Sequence, residues 1–454
     1  MRQRFQDIDD SLNLVGPSTA PLRHRGEGGL PSWFDVTGLA FASIGAACRE
    51  VSAWMANGDA QPAVSIDPAC ASWWFGMTLR PDGWELPPIW DAIAGVYQTR
   101  DGWIRLHTNA PHHRAAALRV LDCAAEKPLV AKEVARWSAK ELEAAIVAES
   151  GCAAEMRSLA EWADHPQGAA VAREPLIDWH SFEMVDASPA AIDPKRPLAG
   201  IRVLDLTRVL AGPVATRFLA GWGADVLRID PPGWAEANIE PEITIGKHCA
   251  TLDLKTASGL SELKRRLADA DIMIHGYRPG ALDALGLDGE TRRTHAPGLI
   301  DISLCAYGWT GPWAARRGFD SLVQMSSGIA HAGMVASGNA HPTPLPVQAL
   351  DHATGYLMAA AAVHGLRARR DAGLASSARV SLARVAHLLA GTLGDDLPSP
   401  LRDESSVDVS AEVEDTSWGP GQRLRFPARI GDLSAHWPIP AGRLHRHPAK
   451  WAAT

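Results

Sequence analysis

The strongest constraint on the fold lies between residues 197 and 305, where short apolar runs alternate with stretches of helical periodicity. Ile201-Arg-Val-Leu-Asp-Leu reads as a strand, residues 212–220 as a helix, and Ala224-Asp-Val-Leu-Arg-Ile as a second strand ending at Asp230. A helix over residues 258–268 follows, with Leu260, Leu263 and Leu267 on one face. Then come strand Ile272-Met-Ile, a short helix near residues 279–285, and strand Leu299-Ile-Asp-Ile-Ser-Leu. Strands joined through helices return in the same direction, so the pattern predicts a parallel sheet covered by helices. The expected fold class is α/β, a doubly wound, Rossmann-like parallel sheet with a smaller α+β domain placed before it in sequence. The first turn, Arg208-Val-Leu-Ala-Gly-Pro, is not GxGxxG, which argues against a dinucleotide enzyme.

A chain of 454 residues exceeds the size at which a single core stops growing, about 250–300 residues. Residues 94–175 predict the small domain. Gly95-Val-Tyr-Gln-Thr and Trp103-Ile-Arg-Leu-His flank Asp101-Gly102, a hairpin signal, and Ser138-x-x-Glu141 and Ser158-x-x-Glu161 have capping-box form. Residues 198–390 form the α/β unit. Residues 391–417, rich in acids, Pro and Ser, predict a linker, and residues 418–454 an extended returning tail. Residues 1–93 are a lead-in containing a partial repeat. Leu30-Pro-Ser-Trp-Phe-Asp-Val-Thr-Gly parallels Leu345-Pro-Val-Gln-Ala-Leu-Asp-His-Ala-Thr-Gly, and Val64-Ser-Ile parallels Val380-Ser-Leu, which reads as an internal duplication.

Composition narrows the function classes. A formal net charge of -8 disfavours nucleic-acid binding, which needs clustered excess cations. The first ten residues lack the apolar segment of a secretory signal, so a cytoplasmic location is expected. The most apolar stretch, residues 350–366, is interrupted by Asp351, His352 and His364 and predicts a buried helix, with no membrane association. The six cysteines are scattered without zinc-like spacing, so no metal is expected.

The run Leu198-Ala-Gly-Ile-Arg-Val-Leu-Asp-Leu-Thr-Arg-Val-Leu-Ala-Gly-Pro with Gly223-Ala-Asp-Val-Leu-Arg-Ile-Asp resembles the opening of the family III CoA-transferases. Further matches follow in order: Gly246-Lys, Leu252-Asp-Leu-Lys255, Tyr277-Arg-Pro-Gly280, Leu285-Gly-Leu, Tyr307-Gly-Trp-Thr-Gly-Pro312, Gly318-Phe-Asp320 and Asp351-x-x-Thr-Gly355. The resemblance implies transfer of coenzyme A from an acyl-CoA to a carboxylic acid, with Asp351 as the catalytic nucleophile and an aspartyl-CoA intermediate. It implies CoA or substrate contacts at Val209, Leu210, Leu252, Lys255, Gly276, Tyr277, Arg278, Arg317 and Phe319. Coenzyme A is then a substrate, no separate cofactor is needed, and the partners are acyl-CoA, small carboxylic acids and a second copy in a homodimer.

Elementary chemistry agrees with the role of Asp351, because a carboxylate at a helix start meets free N–H groups and the positive helix end, which favours its anion. A plain helix N-cap is the other meaning of the same position. In racemases of this fold a His precedes the acid of the Gly-x-Asp motif, and here that position is Phe319. A racemase would need His331 or His275 as its second base. A CoA-binding homologue without turnover is the third reading. The order of parts also departs from the family, since residues 30–175 read as the rear of one copy, fused before a second copy. Asp35, the residue nearest to Asp351 in the first copy, is offset by one position from Thr37-Gly38 and is not expected to form a second centre.

Overall fold

The computed structural model describes residues 5–183 and 192–452; Met1 to Arg4, part of the stretch from which a cytoplasmic location is expected, lie outside them. Seven strands form the central sheet: β1 (Asp178–Glu183), β2 (Arg202–Leu206), β3 (Asp225–Asp230), β4 (Lys247–Thr251), β5 (Ile272–His275), β6 (Ile300–Cys305) and β7 (Leu374–Ser381). Their spatial order is β4-β3-β2-β5-β6-β7-β1. The chain steps outward from β2 to β3 and β4, then crosses back to β5 and continues the other way. Neighbours from β4 to β7 are parallel, so the α/β expectation holds for that part. The expectation of an all-parallel sheet is corrected at one edge, where β1 pairs antiparallel with β7. Edge strands have only one partner and tolerate the polar alternation of Asp178, His180 and Ser181, which concealed β1 in the sequence.

Three helices matter for the site. α1 (Val36–Ala56) and α3 (Ala349–Ala372) are the helices that lie in the two segments expected to be a repeat, and α2 (Ala211–Gly221) follows β2. α1 and α3 pack against each other. Glu50 of α1 accepts from Arg367 Nη1 at 2.6 Å and lies 3.0 Å from His364 Nδ1, while the Arg370 guanidinium sits 4.7 Å over the Trp54 ring. Most of α3 is fully buried, as the apolar run predicts. Among the described residues no helix is long and apolar enough to cross a membrane.

Residues 95–98 and 103–106 form the predicted hairpin, and residues 153–155 add a third strand. The Ser158–Glu161 capping box is present. The segment expected as an acidic linker differs from that picture. Val409–Thr416 pairs with Gly419–Leu424, which pairs with Leu79–Pro81. Three of its acids are ion-paired with arginines: Asp408 with Arg402 at 2.7 Å, Glu414 with Arg423 at 2.8 Å and Glu404 with Arg80. Three of the charges that suggested a solvated linker are thus paired with arginines, one within the segment and two outside it. Ala428–Ile430, in the expected tail, pairs with Val64–Ile66 of the N-terminal repeat.

Candidate active site

Val209 and Leu210, Leu252, and Gly276 and Tyr277 follow the carboxyl ends of β2, β4 and β5, on the side of the sheet where the strand order reverses between β2 and β5. Open α/β sheets place their ligand crevices there. Val209 and Leu210 form the turn from β2 into α2. Val209 has φ +64°, a left-handed conformation that costs a β-branched residue strain, and its N–H donates to Glu236 Oε1 at 2.6 Å. Glu236 is fixed in turn by the buried Arg228 at 2.6 Å.

Asp351 is the third residue of α3. Its link to the β2 turn runs through Gly355, one helical turn further on. A Cβ at Gly355 would collide with the Ala211 carbonyl oxygen and lie 2.8 Å from Val214 Cβ. Only a glycine lets α3 approach α2 this closely, which places the start of the Asp351 helix against the turn bearing Val209 and Leu210. Asp351 is therefore not an N-cap. The cap position is Gln348, whose side chain makes no capping bond. By contrast Asp35, its nearest counterpart in the repeat, caps α1 by accepting from Gly38 N at 2.8 Å.

The N–H of Asp351 donates to Asp320 Oδ2 at 2.9 Å. Asp320 opens helix α4 (Asp320–Ser326), which precedes α3 in the chain, is fully buried, and also accepts from Gln324 Nε2. Gln324 Oε1 accepts from Leu345 N at 2.7 Å. Burial pushes the Asp320 carboxyl up to about 6, against hydrogen bonds and the nearby Arg105 charge that pull it down. Burial, then the neighbouring Asp320, raise the Asp351 carboxyl well above the ordinary range. The expectation that a helix start favours the Asp351 anion is thus overturned for the unliganded site, because Asp320 has taken the helix-end hydrogen bonds. Among the described residues no donor reaches the Asp351 carboxylate, and the residue keeps 8% of its surface exposed.

The small hairpin closes one side. Phe319 stacks on His107 at 3.7 Å between ring centroids and meets His113 edge-on at 5.7 Å. Arg105, on the same hairpin, lies 4.6 Å over Trp90. Burial, followed by the charge of Arg105, lowers His107 to about 3, so it is a neutral imidazole. On α3 itself His352 stacks on Phe75 at 5.0 Å, and burial lowers it to about 3.

Tyr277 and Leu252 both pack against the buried cluster that contains Leu204, Leu206, Leu227 and Ile229. The Arg208 guanidinium lies 5.6 Å over Tyr277 and 4.6 Å over Trp234. Arg208 and Trp234 were not singled out from sequence. The signal was available for Arg208, a cation in the turn after the first strand; Trp234 sits in an irregular loop. Gly276 and Arg278 are exposed after β5, and Arg278 lies close enough to Arg317 for the second cation to lower it, after burial. Lys255 is exposed and its side chain meets none of these groups; its N–H donates to Asp253 Oδ1 at 3.0 Å. Lys247 of the Gly246-Lys motif is structural. Its buried ammonium joins Asp205 Oδ2 at 3.1 Å to the Pro213 carbonyl at 3.0 Å, pinning α2 to β2. His275 faces Asp301 at 3.5 Å.

Residues 198–399 match the family model CoA-transferase family III. A probable fatty acyl-CoA transferase of Mycobacterium tuberculosis is 32% identical over 208 residues, 43% of this chain and 52% of that protein. Succinyl-CoA:glutarate CoA-transferase of Mus musculus is 34% identical over 194 residues, covering 40% and 44%. The chain spans about half the length of these curated relatives. Among solved structures, a CAIB/BAIF family protein from Brucella suis is 26% identical, covering 49% of this chain and 65% of that one, with a TM-score of 0.38.

Proposed function

We propose, from the match of residues 198–399 to CoA-transferase family III, that the chain moves coenzyme A from an acyl-CoA donor to a carboxylic acid through an aspartyl-CoA intermediate on Asp351. The observation that carries the reading is the placement of Asp351. Its carboxyl accepts no hydrogen bond among the described residues, its helix is held close to the turn of Val209 and Leu210 through Gly355, and its N–H is bonded to Asp320, the chain neighbour of Phe319.

The ionised Asp351 carboxylate attacks the donor thioester carbonyl; the C–S bond breaks and CoA leaves as a thiolate, leaving a mixed anhydride. The thiolate then attacks the aspartyl carbonyl of the anhydride, releasing the donor acid and leaving an aspartyl-CoA thioester. An acceptor carboxylate repeats the two steps in reverse, forming the new acyl-CoA and freeing Asp351. No net proton is exchanged. Tyr277, Leu252 and the Arg208–Trp234 pair suit an adenine face and its phosphates, and Arg278 with Arg317 supplies two cations for anions of the substrate. The finer reading also takes the sheet as doubly wound, with residues 94–175 as a small domain, the chain as cytoplasmic, and a homodimer as the working assembly.

Against the racemase alternative, Phe319 stands where that base would be, His275 lies 3.5 Å from Asp301, and His331 lies near Glu161. The test is incubation of the full chain with a panel of acyl-CoA donors and labelled acids, followed by hydroxylamine trapping. Label exchange that Asp351→Asn abolishes supports the transferase. Coenzyme A binding without exchange would leave a non-catalytic homologue, and α-deuterium uptake by a 2-methylacyl-CoA without an acceptor would show racemisation.

A further inference from the structure

The helix carrying Asp351 is held at its N-terminus by a group from another helix. Gln348 makes no side-chain capping bond, so the first-turn N–H groups need an acceptor. Asp320 supplies it, accepting from Asp351 N at 2.9 Å with Leu350 N also directed at it. Gln324 holds the other oxygen of Asp320 and anchors itself on Leu345 N, in the segment leading into α3. Asp320, Gln324 and Leu345 thus form a brace between α4 and the start of α3.

We infer that Asp320 is a positioning residue for Asp351, fixing the first turn of α3 by an external cap and placing a second negative charge beside the nucleophile. The inference rests on Asp351 being the nucleophile. Its consequence is a division of labour between two carboxyls. The one that takes the helix-end hydrogen bonds is spent on geometry, and the other is kept free of donors for attack. The charged groups that act on this pair are Asp320 itself, on Asp351, and Arg105 of the 103–106 strand, on Asp320; the nearest imidazoles in the chain around them are His107, stacked on Phe319, and His352, stacked on Phe75. His107 and His352 are buried and neutral, so the local charge is set by Asp320 and Arg105. Ionising Asp351 beside Asp320 requires work against a like charge, and acylation of Asp351 removes that charge. The brace therefore favours the acylated over the free anionic nucleophile.

The test compares the wild-type chain with Asp320→Asn, which keeps an acceptor oxygen but loses the charge, and with Asp320→Ala, which loses both. The Asp351 carboxyl is followed by 13C labelling and assigned by its loss in Asp351→Asn, and first-turn amides are followed by hydrogen exchange. In Asp320→Asn the midpoint of Asp351 ionisation is expected to move down by about one pH unit or more, with the amide of Asp351 still protected. In Asp320→Ala that amide exchanges at least about tenfold faster. An unmoved Asp351 midpoint in the folded Asp320→Asn chain would overturn the inference, as would full protection in Asp320→Ala. If Asp320→Ala does not fold, Asp320→Asn decides alone. Both readouts are independent of turnover, so an absence of CoA exchange would remove the transferase reading without deciding this one.

Discussion

Gly355→Ala separates a packing role from an intrinsic helix preference at one position. Inside a helix, Ala is favoured over Gly by about 0.5–1 kcal/mol, so with no neighbour the change would stabilise the chain. Here the new methyl meets the Ala211 carbonyl oxygen, a backbone atom that cannot rotate away, and Val214 Cβ at 2.8 Å. Overpacking of this kind costs about 1–3 kcal/mol, so the clash outweighs the propensity gain and leaves a net loss of roughly 0–2 kcal/mol. The larger effect is geometric. α3 must withdraw from α2, carrying Asp351 away from the turn of Val209 and Leu210, and a displacement near 1 Å can cost about a hundredfold in rate. The expected result is a small fall in urea midpoint with a loss of kcat of about ten- to a hundredfold. A variant that is more stable and fully active would refute the reasoning, because it would show that the two helices are not held in contact by this glycine.

Arg208→Ala is expected to raise KM for the acyl-CoA by about three- to thirtyfold with kcat nearly kept, since cation–π contacts are worth about 0.5–2 kcal/mol; steady-state kinetics with a varied donor checks this. Glu242→Ala leaves the buried Arg217 and Arg423 without their shared carboxylate and is expected to cost about 3–5 kcal/mol in denaturant unfolding. The Glu242 carboxyl is held low by Arg217 and then Arg423, against burial. A depressed folded pKa means that this stabilisation is present above the ordinary carboxylate pKa and is lost as pH falls through the folded value, so the gap between wild type and Glu242→Ala narrows in acid. Asp351 has the opposite sign. Its folded pKa is raised, so any stability it contributes is present below the ordinary carboxylate pKa and is lost as pH rises toward the folded value. Asp351→Asn is therefore expected to be inactive yet more stable than wild type at pH 8, by about 0.5–2 kcal/mol, with the difference shrinking toward pH 4 in parallel melts.

Strands β2, β3, β5 and β6 were legible because each is an apolar run bounded by turn residues. β4 was not, because Lys247 and His248 open it with polar groups, and the burial of Lys247 depends on Asp205, a partner distant in sequence. Asp351 was legible from motif order, but its electrostatics were not. Local sequence shows a carboxyl at a helix start and cannot show that Asp320 already occupies that helix end. Arg105 and His107 were visible only as the polar half of an alternating strand, and their meeting with Asp320 and Phe319 depends on how the hairpin docks. The 17 tryptophans, which followed no repeat, find part of their explanation in joins between distant segments. Trp74 stacks on Trp437 at 5.4 Å, Trp54 donates to the Pro197 carbonyl at 2.8 Å, and Trp179 donates to the Ser11 carbonyl at 2.8 Å. The acidic stretch near residues 403–415 was hidden as a strand in part for the same reason, since Glu404 pairs with the distant Arg80 and Glu414 with Arg423 across a hairpin.

The most direct test of the central claim is peptide mass spectrometry after brief exposure of the full chain to an acyl-CoA donor without acceptor, quenched in acid. A CoA thioester on the peptide containing Asp351, converted to a hydroxamate by hydroxylamine and absent from Asp351→Asn, is the predicted result. Turnover with no adduct at Asp351, or turnover undiminished in Asp351→Asn, would contradict the account.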